Sequence, residues 1–126
     1  MRVITETTER TIETPTAVMA GLAAPSQGTA ELCTWRVRMT SGRDSPVHVI
    51  DREQVWMPLR GAFEFTVDGE TAVVGTGEAL AVPSGATRQF RVSGGTSEAE
   101  AIVCMAAGGQ AAVLGSDAWQ SLPWAL

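Results

Sequence analysis

The 126-residue sequence has no lysine and no tyrosine, one histidine and two cysteines. Its nine basic residues are all arginines, scattered along a chain of net charge −5. That excludes the clustered positive footprint which nucleic-acid binding requires. No apolar run approaches the roughly 18 residues of a membrane-spanning helix, so no membrane partner is expected. The N-terminal "MRVITETTERTIETP" is polar and acidic, unlike a secretory signal, and a cytoplasmic location is the expectation. Cys33 and Cys104 are then reduced thiols, read first as small core hydrophobes. Absent lysine and tyrosine, set beside abundant Ala, Gly and Val, read as a composition bias without functional weight. The chain also lacks any long helical periodicity.

What is present is strand signal. Apolar residues make up 44%, enough for one globular domain with one core. "ELCTWRVRMT" sets Cys33, Trp35, Val37 and Met39 against Thr34, Arg36, Arg38 and Thr40, the period of two of a half-buried strand. "AFEFTVDGETAVV" alternates through Phe63, Phe65 and Val67, then meets Asp68-Gly69, a dipeptide suited to a tight hairpin turn. "EALAVPSG", "TRQFRV" and "EAEAIVCMA" read as further strands, and "TPTAVMAGLAAP" as an N-terminal one. Pro58 falls inside a strand pattern and predicts a bulge or an edge. Gly42 and Gly61 mark turns or close backbone approaches. In "SDAWQSLPWAL" one helical turn before Pro123 is expected, with Trp119 and Trp124 folding back as a lid. Many short strands at 8–12-residue spacing predict an all-β sandwich or barrel.

The punctuation then becomes specific. Gly42, His48 and Gly61 stand at the spacing of G-x5-H-x-H-x3-E-x6-G, and Gly77, Pro83, Gly85 and Arg88 at that of G-x5-P-x-G-x2-H. In order, and with "TVDGE" between them, these resemble the two motifs of the cupins over roughly residues 30 to 107. The resemblance implies a single-domain jelly-roll β-barrel, usually dimeric, with one internal pocket. Residues 1–29 form an N-terminal strand or arm, 30–107 the barrel, and 108–126 a tail packed on it. A homodimer is expected, the N-terminal "AVMAGLAAP" needing cover that a small barrel does not supply alone.

The positions where the family carries metal ligands hold His48, Ile50, Gln54 and Arg88. Isoleucine binds no metal, the Gln54 carbonyl is neutral, and Arg88 brings a positive charge. A divalent site wants three or four suitably charged donors. No cofactor is therefore expected. Any residual metal would rest on His48 and Gln54, because Asp51 and Glu53 fall on the opposite strand face. In the barrel, even-numbered positions bring His48, Gln54 and Arg88 together against Ile50, Trp56 and Phe90, a pocket with an apolar wall and few polar groups. Arg88 then pairs with Glu64 or another carboxylate, or receives an anionic ligand. His48 exchanges protons and Gln54 orients a carbonyl or hydroxyl. Each has a plainer reading: His48 as a hydrogen-bonded structural residue, Arg88 as a surface arginine with Gln89 turned inward, Trp56 as core. Arg36 reads as a solvated face. Arg38 reads equally as solvated or as a second anion contact. Cys104, on the last barrel strand, either lines the pocket or simply packs.

Three functions fit. The first is a metal-independent or weakly metal-binding enzyme of isomerase, cyclase or lyase type, acting on a small anionic or enolisable substrate. The second is a non-catalytic ligand-binding or sensing module. The third, a metal-dependent dioxygenase, is disfavoured by Ile50 and Arg88.

Overall fold

The computed structural model describes residues 1–126. The chain forms twelve strands, three short 3-10 turns and no α-helix. One six-stranded antiparallel sheet runs β1 (Thr11–Glu13), β2 (Val18–Gly21), β3 (Leu32–Thr40), β10 (Glu98–Ala106), β5 (Gln54–Arg60), β8 (Leu80–Val82). The other runs β12 (Gln120–Ser121), β11 (Gln110–Val113), β4 (His48–Ile50), β9 (Thr87–Val92), β6 (Ala62–Val67), β7 (Glu70–Gly75). Two sheets facing each other across one core form the jelly-roll barrel.

The alternation explains which side chains enter. Cys33, Trp35, Val37 and Met39 on β3 are buried, as are Ala99, Ala101, Val103 and Met105 on β10. Paired in register, with Trp35 opposite Val103, they form the continuous inner face of the first sheet. Phe63 and Phe65 enter from β6. Trp56 packs edge-on against both, ring centres 5.5 and 4.9 Å apart, and tilted against Phe90 at 4.7 Å. Such pairs add to the burial of their area.

The turns follow the residues. Asp68 (φ 47°) and Gly69 (φ 84°) both lie in the left-handed region and join Val67 to Glu70, the two-residue turn whose twist suits a hairpin. Pro58 sits at a bulge: β10 meets β5 with a register shift between Glu100 and Ala101, and β8 pairs only with Gln54, Val55 and Trp56. The missing proline N–H thus costs no ladder bond.

The chain's ends differ from expectation. The apolar N-terminal run forms β2 and pairs with β3 on one side and β1 on the other, so its cover comes from within the chain. The C-terminal turn starts at Pro123 rather than ending before it, because proline's fixed φ suits the first position of a turn and its missing N–H is not needed there. Trp124 packs against the core, while Trp119 is exposed and forms no lid.

Candidate functional site

The barrel interior is packed around Phe63, Phe65, Val37 and Val103, and a cavity opens beside this core. Its volume of about 510 Å³ lies in the size range of small-molecule sites. His48 and Ile50 of β4 line it from one sheet, Gln54 and Trp56 of β5 from the other. The short 51–53 turn carries the chain between sheets while keeping both pairs inward. Phe90, Trp35 and Met19 add apolar wall, and Thr14 and Thr16 with Ser116, Gln120 and Trp124 are among its other lining residues. No Asp, Glu or Arg side chain lines the cavity, and His48 is its only titratable group.

His48 is half-buried, its ring edge-on to Phe90 at 5.9 Å. Its Nδ1 lies 2.7 Å from the Pro46 carbonyl oxygen. A carbonyl only accepts, so Nδ1 carries the proton and Nε2 holds the lone pair. Burial pushes the imidazole below its ordinary pKa, the Pro46 contact opposes this, and the Arg88 charge adds to the lowering. His48 is therefore a neutral base at neutral pH.

Gln54 is buried. Its Oε1 accepts from Trp56 Nε1 at 3.2 Å and from the Arg88 guanidinium at 3.3 Å. Its Nε2 meets only the Met105 thioether, at 3.6 Å.

Arg88 departs from expectation. It is 1% exposed, so it is no surface arginine, yet it is not part of the cavity lining. It sits behind Gln54, donating to the carbonyls of Pro83 (2.9 Å) and Ala86 (3.2 Å). These carbonyls belong to the Pro83-Ser84-Gly85 turn and the residue after it, which wrap the guanidinium. Burial lowers its pKa to about 10, against the opposing pull of Asp68, and it stays charged at neutral pH. Glu64 lies 3.8 Å from Arg91 instead. Gln89 reaches the Ser45 carbonyl at 3.0 Å and does not replace Arg88 inside.

Two further candidates fall outside the site. Arg38 lies on the outer face of β3, paired with Glu6 (2.6 Å) and Glu100 (2.8 Å), because the inner positions of that strand are odd-numbered. Arg36 joins Glu6 at 3.0 Å. Cys104 points outward between Thr34 and Val55, while Cys33 is the buried thiol, its pKa raised to about 11 mainly by burial. Sequence reasoning missed Trp35 as cavity wall, although its place in the inward alternation of β3 is the signal. It also missed the backbone oxygens of Pro46, Pro83 and Ala86, which no side-chain pattern announces.

The donors do not fit a tight divalent metal. No three His, Cys, Asp or Glu residues cluster. Of the four ligand positions, Ile50 has no donor atom, the Gln54 oxygen is engaged twice, and Arg88 is a buried cation. Asp51 is spent on Arg52 (3.2 Å) and the Gln110 N–H (2.7 Å), and Glu53 is exposed.

Fold and site together define a jelly-roll barrel with an internal cavity on which a few polar groups converge. The family model "Cupin domain" matches residues 35–105, and the chain belongs to the cupin family. No curated protein matches it. Among solved structures, it is similar to the polyketide cyclase RemF from Streptomyces resistomycificus, with TM-score 0.73 and 18% identity over 98% of this chain and 89% of that one. A cupin-superfamily sugar phosphate isomerase from Silicibacter pomeroyi gives TM-score 0.62 and 20% identity, over 80% and 68% of the chains. KdgF from Halomonas gives 0.64 and 18%, over 76% and 84%. At these identities the likeness is one of fold.

Proposed function

We propose that the protein is a small-molecule enzyme of isomerase or cyclase type that moves protons on a neutral, enolisable, ring-bearing substrate without a metal. One observation carries the reading: a histidine held as a neutral base, Nδ1–H on the Pro46 carbonyl, in an aromatic cavity with no charged lining. An anionic substrate would find no counter-charge there, and a partly desolvated anion is costly without one. Among the expected ligand classes, the enolisable one is therefore favoured over the anionic one. The nearly end-to-end likeness to a polyketide cyclase fits a ring substrate.

In this reading His48 Nε2 takes a proton from the carbon beside a carbonyl. The electron pair left behind moves onto the carbonyl oxygen, which an N–H of Gln54 stabilises. His48 then returns the proton to another atom of the substrate. Trp35, Trp56 and Phe90 grip the ring. Ligand sensing without chemistry is the alternative that the same cavity serves. Two unpaired thiols favour a reducing, cytoplasmic setting.

2-Tetralone, a neutral bicyclic ketone, tests this. In deuterium oxide the wild-type protein is expected to speed exchange beside its carbonyl, and His48→Gln to slow that exchange by about 10²–10⁴-fold, the usual worth of a positioned base. Bound ketone with equal exchange in both proteins would instead assign the cavity to sensing. Protein purified without added metal is expected to carry well under one equivalent of Zn, Fe, Mn, Ni or Cu. Elemental analysis finding a stoichiometric metal that His48→Ala removes would overturn the metal-free mechanism.

A further inference from the structure

Arg88 is a buried cation whose hydrogen bonds all go to neutral oxygens: those of Pro83, Ala86 and Gln54. Burying a charge with no carboxylate in direct contact is costly, and the arrangement gives that cost a use. The Gln54 oxygen faces two groups, the guanidinium and the Trp56 indole, that donate and never accept. Flipping the amide would set N–H against N–H at both contacts. The flip is therefore closed, and Nε2 is the end left over, with only the weak Met105 sulfur acceptor for its two hydrogens. Arg88 in turn cannot swing away without leaving the carbonyls that the Pro83-Ser84-Gly85 turn aims at it.

We propose that Arg88 is a positioning residue: it fixes the Gln54 amide so that Nε2 meets the ligand, and the cavity thereby selects a molecule with a carbonyl or enolate oxygen over one offering only a donor. The ligand half rests on the acid–base reading above; the positioning half does not. A free glutamine presents either end of its amide. A glutamine held at its oxygen by two obligate donors presents one, and because Gln54 lines the cavity, an N–H not taken up by the weak Met105 acceptor is left for a substrate oxygen. A lysine at position 88 would keep the charge but not the planar fork that spans Gln54 and the two backbone carbonyls.

The full chain has five glutamines and no asparagine, so its nuclear magnetic resonance spectrum contains five side-chain NH2 pairs, and the Gln54 pair is assigned by its loss in Gln54→Glu. In the wild type this pair is expected to be sharp, with two well-separated proton shifts and slow solvent exchange. In Arg88→Lys and Arg88→Met the two shifts should draw together and exchange should quicken at least tenfold, with the other four pairs unmoved. Unchanged shifts and exchange of the Gln54 pair in Arg88→Lys overturn the positioning role, and this variant carries the test where Arg88→Met does not fold. Adding 2-tetralone to the wild type should shift the Gln54 pair; a bound ketone that leaves it unmoved overturns the ligand half. Failure of deuterium exchange, by contrast, removes the catalytic reading and leaves the amide placement standing.

Discussion

At the scale of single residues, His48 ties stability to pH. Burial foremost, with the Arg88 charge, holds its folded-state pKa below the ordinary 6.5. As pH falls, the unfolded chain takes up this proton first. The contribution of the neutral imidazole to stability is therefore complete above about 6.5 and is lost as pH drops from there toward the folded-state value. Urea unfolding between pH 8 and pH 5 should show the wild type losing more stability than His48→Gln. Parallel curves would contradict a buried, neutral histidine. Glu6 acts in a separate window. Its hydrogen bond to Arg38 first, and then to Arg36, outweighs burial and lowers its pKa from 4.5, so its contribution is present above that value and lost only below it. Those partners are about a quarter to two-fifths exposed, which keeps each pair's worth within roughly 0–1 kcal/mol.

Among the structural elements, the turns decide which glycines are irreplaceable. Gly42 and Gly61 occupy the two ends of the first motif and both have positive φ, 84° and 66°. Only Gly61 is also crowded: a Cβ there would run into the Glu98 carbonyl oxygen and lie 2.8 Å from Thr96 Cγ2, while Gly42 has open space around it. Gly42→Ala should cost about 1–2 kcal/mol, the price of a left-handed conformation with a side chain. Gly61→Ala should add about 1–3 kcal/mol for overpacking against backbone that cannot yield. Equal unfolding midpoints for the two variants would refute the close approach of β6's start to β10.

For the whole molecule, we propose that self-association uses the outer face of the first sheet. Met57 and Leu59 are exposed there, and Val55 and Met57 stand directly opposite the half-buried Cys104 and Ile102. Adjacent apolar side chains on an outer sheet face favour burial against another surface, and the homodimer is proposed on this face rather than on the N-terminal run, which β1 and β3 already cover. Sedimentation equilibrium at micromolar concentration should give twice the 13.3 kDa chain mass, and Met57→Glu should shift it toward monomer. A wild-type mass of one chain would refute the dimer.

Strand alternation, the Asp68-Gly69 turn and the bulge or edge at Pro58 were legible because each follows from local backbone chemistry, whereas the spacing of Gly42, His48, Gly61, Gly77, Pro83 and Gly85 was legible through its resemblance to the cupin motifs. The inward parity of residues 48, 50, 54 and 56 was legible from strand alternation. Other features needed the sheet. The run Ile102-Val103-Cys104-Met105 is apolar throughout, so no period says which side faces in; pairing of Val103 with Trp35 settles it and turns Cys104 outward. That β4 and β5 approach the cavity from opposite sheets depends on the 51–53 turn and on strand partners distant in sequence, such as Arg88 for His48 and Val103 for Trp56. The largest difference concerns Arg88. Sequence by itself determined that a permanent cation occupies a ligand position of the barrel, since arginine does not give up its proton. Only the tertiary structure decided what that cation faces, because its partners are backbone carbonyls and an amide oxygen, groups present in every sequence and brought together by the fold alone.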